Sequence, residues 1–297
     1  MLECRASFAD SRACPMVKIG QFNRLPVLRR SDFGLFLDAG GEESILLPRR
    51  DMPADQPCAP GDLLDVFVYH DSEDRPVATT RAPKVQVGEF ASLKVVDINP
   101  VGLFLDWGLA KDLLLPHSEE KRPLQVGDYC VVYAFLDDRT GRVTASARID
   151  RYLDKTPARY RVGEQVDLLL TASTEMGYKA IINHRHWGLL HRNELFRPVR
   201  SGMHLKGYIR ELRSDGKISL SLQPQGEQGR DDLAERILTR LRENQGTLPL
   251  SDKSTPAAIT AAFGVSKSSF KKAIGGLYKT GQITIHPDRI TLLEAEQ

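Results

Sequence analysis

Apolar and polar residues alternate in short runs over most of the first 224 positions. Runs such as Leu63–Tyr69, Val131–Leu136, Val166–Leu170 and Ile218–Leu222 keep a period of two. That period turns one face of a strand inward and the other to water, so each run predicts a half-buried strand. Turns rich in Gly, Asp and Pro separate the runs roughly every 8–12 residues, the spacing of a small sandwich or barrel.

Past the Gln/Gly-rich stretch QPQGEQGRDD (223–232), which reads as a linker, the period changes. Leu233, Ile237, Leu238 and Leu241 recur at helical spacing, and a short extended LPL follows at 248–250. Pro256 sits at a first helical position behind a Ser/Thr cap, predicting a second helix that closes at Gly264. Ser266 opens a third, with Phe270, Ile274 and Leu277 as its apolar stripe. ITI (283–285) and ITLL (290–293) then predict a hairpin around His286-Pro-Asp-Arg289. Helix, helix, helix, hairpin is the order of a winged helix. Gly275-Gly276 inside the third helix cost about 1 kcal/mol each relative to alanine, which predicts a packing reason for them.

The strand region repeats. GLFLD stands at 34–38 and again, unchanged, at 102–106, and each copy is followed at one offset by Leu46-Leu47-Pro48 or Leu114-Leu115-Pro116. Gly61-Asp62 matches Gly127-Asp128, and Ala78-Thr79-Thr80-Arg81 matches Ala145-Ser146-Ala147-Arg148. A third, more diverged copy places Gly177 with Gly34 and Gly102, and WGLLH (187–191) where ILLP and LLLP stand. Fixed-period self-similarity of this kind sets the architecture. The reading is three tandem barrels at 16–83, 84–151 and 152–224 and a winged helix at 230–297, with residues 1–15 as an extension. Met16 opens the alternating pattern, and is read either as the true start of the protein or as the residue that follows a loose fifteen-residue tail. Each unit is too short for a seven-stranded sandwich and fits five strands.

The third copy's GLLHRNEL, GMHLKGYIREL and GKISLSL resemble the RNA-binding module named after ribosomal protein S1, a five-stranded oligonucleotide-binding (OB-fold) barrel. The first copy's DFGLFLD is similar to that module's early strand, and the order of units from Met16 onward resembles the conserved virulence factor B family of bacterial RNA-binding regulators. The resemblance implies a mainly β protein of three S1-like barrels and a small α+β winged helix. It also implies RNA contacts at Phe33, Phe36, Phe104 and His191. Pro48 and Pro116 stand where the first two copies would carry that histidine, and the third copy has Met176 and Lys179 in place of Phe33 and Phe36. No single copy holds the full set, so the modules are expected to act together.

Strand alternation gives an independent reading of two of these positions. Leu35 and Leu37 share a face, and Phe36 shares the other with Asp38, so the phenylalanine is expected to face solvent; Phe104 beside Asp106 follows the same argument. A base stacked on such a ring contributes roughly 1–3 kcal/mol; packing beneath a neighbouring module is the other use of an exposed ring.

Charge changes the picture only when it is divided by unit. The chain carries 41 Lys/Arg against 39 Asp/Glu, close to neutral. Residues 152–224 hold 12 Lys/Arg against 7 Asp/Glu, whereas 16–83 hold 8 against 11 and 84–151 hold 9 against 10. Phosphate neutralisation dominates nucleic-acid affinity, so the third copy is the expected phosphate-binding unit. Its candidates are Tyr178, Lys179, Arg185, Arg192, Lys206, Arg210, Arg213 and Lys217. In the winged helix, Lys267, Lys271, Lys272 and Arg289 lie off the apolar stripe, available to nucleic acid or to a protein.

Catalytic motifs are lacking: there is no G-x-S-x-G, P-loop or H-E-x-x-H, so no catalytic or cofactor-binding residue is assigned. His184-x-His186 on a strand would put two imidazoles on one face near His191, but zinc needs further ligands. Asp71-Ser-Glu-Asp74 and Asp137-Asp138 sit in predicted turns, which explains them more simply than a metal site. Cys4, Cys14, Cys58 and Cys130 form no CxxC pair and read as free thiols of a reducing cytosol. Neither an export signal nor an apolar run of membrane-spanning length is seen. The combined expectation is a non-enzymatic cytoplasmic protein that binds single-stranded RNA to regulate gene expression post-transcriptionally. A DNA-binding transcription regulator and a protein-interaction scaffold are the alternatives.

Overall fold

A computed structural model describes residues 17–40, 43–53, 58–156, 158–195, 198–224 and 226–293. The chain forms two compact units, Met1–Arg151 and Tyr152–Gln297. The N-terminal extension, with Cys4, Cys14 and Met16, lies outside the described residues.

The first unit holds two closed five-stranded barrels. One consists of β1 (Phe22–Ser31), β2 (Gly34–Gly40), β3 (Glu43–Pro48), β4 (Leu63–His70) and β5 (Pro76–Thr79). The other consists of β6 (Phe90–Asn99), β7 (Gly102–Leu105), β8 (Leu113–Pro116), β9 (Tyr129–Leu136) and β10 (Val143–Ser146). Both close in the order first, second, third, fifth, fourth strand, with the third and fifth strands parallel. In the second unit β11 (Gln165–Thr174), β12 (Gly177–Ile182), β13 (His186–His191), β14 (His204–Leu212) and β15 (Ile218–Ser221) repeat that order. Strand register confirms the alignment of the repeats: Gly34 pairs with Pro48, Gly102 with Pro116 and Gly177 with His191.

Two features explain why the repeated residues recur. A Cβ on Gly34, Gly102 or Gly177 would lie 2.0, 2.4 or 2.1 Å from the carbonyl oxygen of Leu47, Leu115 or Leu190, so only glycine lets the two strands meet there. After each third strand a 3-10 turn ends on an acid, Asp51, Glu119 or Glu194. That acid ties the turn to the end of the barrel's last strand. Arg81 Nε lies 2.9 Å from Asp51, Ser146 Oγ donates to Glu119 (2.5 Å), and Ser221 Oγ donates to Glu194 (2.8 Å). The Ala-Thr-Thr-Arg and Ala-Ser-Ala-Arg repeats are thus half of a polar latch that closes the barrel.

The first two barrels share a core. Trp107 of the second barrel, 3% exposed, meets Phe67 and Tyr69 of the first edge-on at 5.6 and 6.0 Å. Its indole N–H donates to the Val85 carbonyl (2.7 Å) in the connecting segment. Lys111 donates to the Asp71 carbonyl (2.8 Å), and Arg142 pairs with Asp74.

The winged helix comprises α1 (Gly226–Glu243), β16 (Thr247–Leu248), α2 (Pro256–Phe263), α3 (Lys267–Lys279), β17 (Ile283–Ile285) and β18 (Ile290–Leu292). Thr255 and Ser266 cap α2 and α3 by accepting the N–H groups of Ala258 and Ser269, and Gly264 ends α2 at a φ of 66°. Phe270, Ile274 and Leu277 join Leu233, Ile237, Leu241, Ile283 and Ile290 in one core. Two expectations fail here. The segment read as a linker is helical from Gly226, because α1 runs on before its first buried residue, Leu233. Nor do Gly275 and Gly276 have a packing reason, since a Cβ on either would meet open space.

Candidate nucleic-acid interface

In β2 the alternation puts Leu35 and Leu37 fully inside the first barrel, as the period requires. Phe36 points outward but is half-buried rather than exposed. The guanidinium of Arg29 on neighbouring β1 lies over its ring, 3.8 Å from the centroid. Phe33, in the turn before Gly34, is 77% exposed. Phe104 is likewise half-buried, and Asp97 occupies the cross-strand position that Arg29 holds opposite Phe36. Sequence could not locate Arg29, because a bulge between Val27 and Arg29 shifts the register that brings it to Phe36.

On β12 the same alternation divides two candidates. Lys179 is exposed, its Nζ 5.2 Å from the Trp187 ring centroid. Tyr178 faces the core instead, packed on the apolar cluster with its hydroxyl donating to the Val199 carbonyl (3.1 Å). It occupies the register position of Leu35, opposite a leucine, which is why it turns inward. His191 is half-buried, 3.5 Å from Ser219 Oγ, and the exposed Arg192 donates to the Thr174 carbonyl (3.2 Å).

Four of the basic candidates are held by carboxylates. Lys206 pairs with Asp167 (2.6 Å), Arg210 with Glu194 (2.8 Å), and Arg213 and Lys217 share Asp215 (3.3 and 3.2 Å). Asp167, Glu194 and Asp215 are among the seven carboxylates already set against the twelve cations, so these pairs leave the barrel's excess intact and place most of it at other positions. In the winged helix Lys271 lies 3.7 Å from Asp252, and Arg289 3.3 Å from the adjacent Asp288. Lys267 is half-buried and Lys272 exposed.

The second unit brings some of these cations together. Between the third barrel and the winged helix lies a cleft of about 1060 Å³. Arg210 and Tyr208 enter it from β14, Arg230 and Arg236 from α1, and Ser266, Ser269 and Lys272 from α3 and its cap. Glu194 and Asp232 are the carboxylates on its wall, so cations outnumber them by four to two. Gln223 fixes the two sides by donating to the Gly264 carbonyl (2.6 Å), and Arg236 donates to the Phe263 carbonyl (2.6 Å). Of these cations sequence reasoning named Arg210 and Lys272. Arg230 fell in the stretch read as a linker, and Arg236 was legible only as a polar position of the first helical segment.

The metal and carboxylate motifs resolve into ordinary structure. Asn183 and His184, with φ of 47° and 55°, are the central residues of a turn closed by the Arg185 N–H on the Ile182 carbonyl, so His184 is not on a strand and shares no face with His186. His186 Nδ1 instead meets the Tyr160 hydroxyl (3.0 Å). Asp71 accepts the backbone N–H groups of Glu73 and Arg75, and Asp137 that of Arg139, as turn residues do. At Asp71 burial is the largest single influence and raises the carboxyl, but the hydrogen bonds from the Arg75 and Glu73 backbone and the Arg75 side chain together outweigh it; at Asp137 the Arg139 N–H leads, and both carboxyls lie below the usual range. Among the described residues no group of three or more His, Cys, Asp or Glu is placed to hold a metal. No helix among them is long and apolar enough to cross a membrane.

Three barrels of one strand order and a winged helix that shares a cationic cleft with the third define a class: tandem S1-type barrel proteins ending in a winged helix. Family models agree, an S1 domain matching residues 19–81 and 87–147 and a CvfB-like winged helix domain matching 235–292. The YitL protein of Bacillus subtilis is 31% identical over 291 residues, covering 95% of this chain and 96% of its own. Conserved virulence factor B of Staphylococcus epidermidis is 27% identical over 282 residues (92% and 94%). The chain belongs to the conserved virulence factor B family. A crystal structure of a multidomain protein with nucleic acid binding domains from Streptococcus pneumoniae is 24% identical, with a TM-score of 0.40 over 93% of this chain and 98% of that one.

Proposed function

We propose that the protein is a non-catalytic, cytoplasmic RNA-binding protein that engages single-stranded RNA across several barrels and so regulates gene expression after transcription. The observation that carries this reading is the cleft of the second unit, where Arg210 from a barrel and Arg230, Arg236 and Lys272 from the winged helix converge. Membership of a family with S1 domains supports it. A phosphate backbone is the polyanion that such a cleft suits, and release of its counterions supplies the affinity. The winged helix is used here as a wall. Lys272 and Ser269 of α3 face the cleft, and Lys271 is engaged by Asp252. That arrangement favours single strands over the duplex-reading alternative.

The test is fluorescence anisotropy of the full chain with labelled single-stranded RNA, matched single-stranded DNA and duplex DNA over a salt series. The expected outcome is preference for single-stranded RNA, steep weakening with salt, and a loss of about tenfold or more in Arg230→Glu/Lys272→Glu. Stronger binding to duplex DNA would establish the transcription-regulator alternative, and no binding to any of the three would leave a protein scaffold.

A further inference from the structure

The two barrels of the first unit share one strand order, one latch and the GLFLD strand, yet differ at the position facing the outward phenylalanine. In the first barrel Arg29 pairs across the strands with Phe36 and lays its guanidinium over the ring at 3.8 Å. Arg29 is itself exposed, so the outer face of the guanidinium is open to solvent. In the second barrel the position opposite Phe104 is Asp97. Asp112 feels both Asp106 and Asp97: burial first, and then their charges in that order, push its carboxyl up. Lys84 is committed to Asp106. The turn before the strand differs too, with Phe33 exposed in the first barrel and Val101 in the second.

We propose that these barrels are functionally unequal. The first carries a base-stacking platform built from Phe36, Arg29 and Phe33, and the second is barred from single-stranded nucleic acid by Asp97. The inference rests on the single-strand reading above and says which module of the first unit does the binding. A planar guanidinium already stacked on a ring presents a second flat, cationic face. A base stacks on that face as on an aromatic, while the positive charge draws in the flanking phosphate. Arg29 then has one side on Phe36 and the other on the base, its rotamer already fixed before binding. In the second barrel a strand that brought a base to Phe104 would carry its phosphates toward Asp97, where like charges repel. Overall charge does not reveal this difference, because both barrels are slightly acidic in total.

The test is a reciprocal exchange in the full chain: Arg29→Asp, Asp97→Arg, and Arg29→Lys, with circular dichroism to confirm folding. Each is titrated with an RNA oligonucleotide carrying 2-aminopurine, whose fluorescence is quenched when the base stacks. Arg29→Asp is expected to weaken binding about tenfold and to reduce the quench. Arg29→Lys, which keeps the charge without the plane, should retain the salt dependence but lose quench. Asp97→Arg should tighten binding and add quench. Wild-type affinity and quench in all three variants would overturn the proposal while leaving RNA binding in place. If the wild-type chain bound no single-stranded RNA at all, the broader reading would fail first, so the two failures are told apart.

Discussion

At the scale of single residues, most of what the repeat preserves is steric or polar necessity. Gly34→Ala would drive a Cβ to within 2.0 Å of the Leu47 carbonyl at a φ of 150°, so the first barrel should lose about 1–3 kcal/mol, measured by urea unfolding. Cys130 makes a second test. Burial pushes its thiol up to about 11, so it carries almost no thiolate near neutral pH. Iodoacetamide at pH 8 should leave Cys130 unlabelled in the folded protein and label it after unfolding, as read by peptide mapping. The sign of its pH effect follows. The folded thiol keeps its proton longer than the unfolded one, so its contribution to stability falls as pH rises from about 9 toward 11. The inward leucines, Leu35 and Leu37, were legible from alternation alone. Partners across strands were not: Arg29 on Phe36 depends on a bulge, and the pairing of Lys206 with Asp167 joins residues 39 positions apart.

At the scale of elements, packing between strands and helices decides how many pieces the chain has. Trp107 links the first two barrels through Phe67, Tyr69 and the Val85 carbonyl. Trp107→Ala should cost about 3–5 kcal/mol and split one calorimetric transition of the first unit into two. A second barrel that unfolds no earlier, with the transition still single, would show that the junction rests on Lys111 and Arg142 instead. Caps and periods made α2 and α3 readable, because a cap is a local hydrogen bond between near neighbours: Thr255 to Ala258, Ser266 to Ser269. The start of α1 was not readable. Its first turns lack an apolar stripe, and composition alone resembles a linker.

For the whole molecule, affinity is expected to come from weak sites joined in one chain, each raising the effective concentration of the others. Neutralising Arg230 and Lys272 to Gln should therefore lower affinity and flatten the dependence of log K on log salt. On a single strand the slope should fall by about 0.7 for each phosphate that no longer meets a cation. An unchanged slope in a salt titration would mean that neither cation meets phosphate. The sequence by itself determined the repeat, the five-stranded units, the glycine positions, the helix caps and the winged-helix order. All of these depend on local periodicity or on residues recurring at a fixed offset. Only the tertiary structure decided which outward aromatic is roofed by arginine, which cations are already neutralised, that Tyr178 turns inward, and that barrel and winged helix share a cationic cleft. The physical reason is that charge and aromatic interactions act through space, between side chains that register shifts and chain reversals bring together from far apart in the sequence.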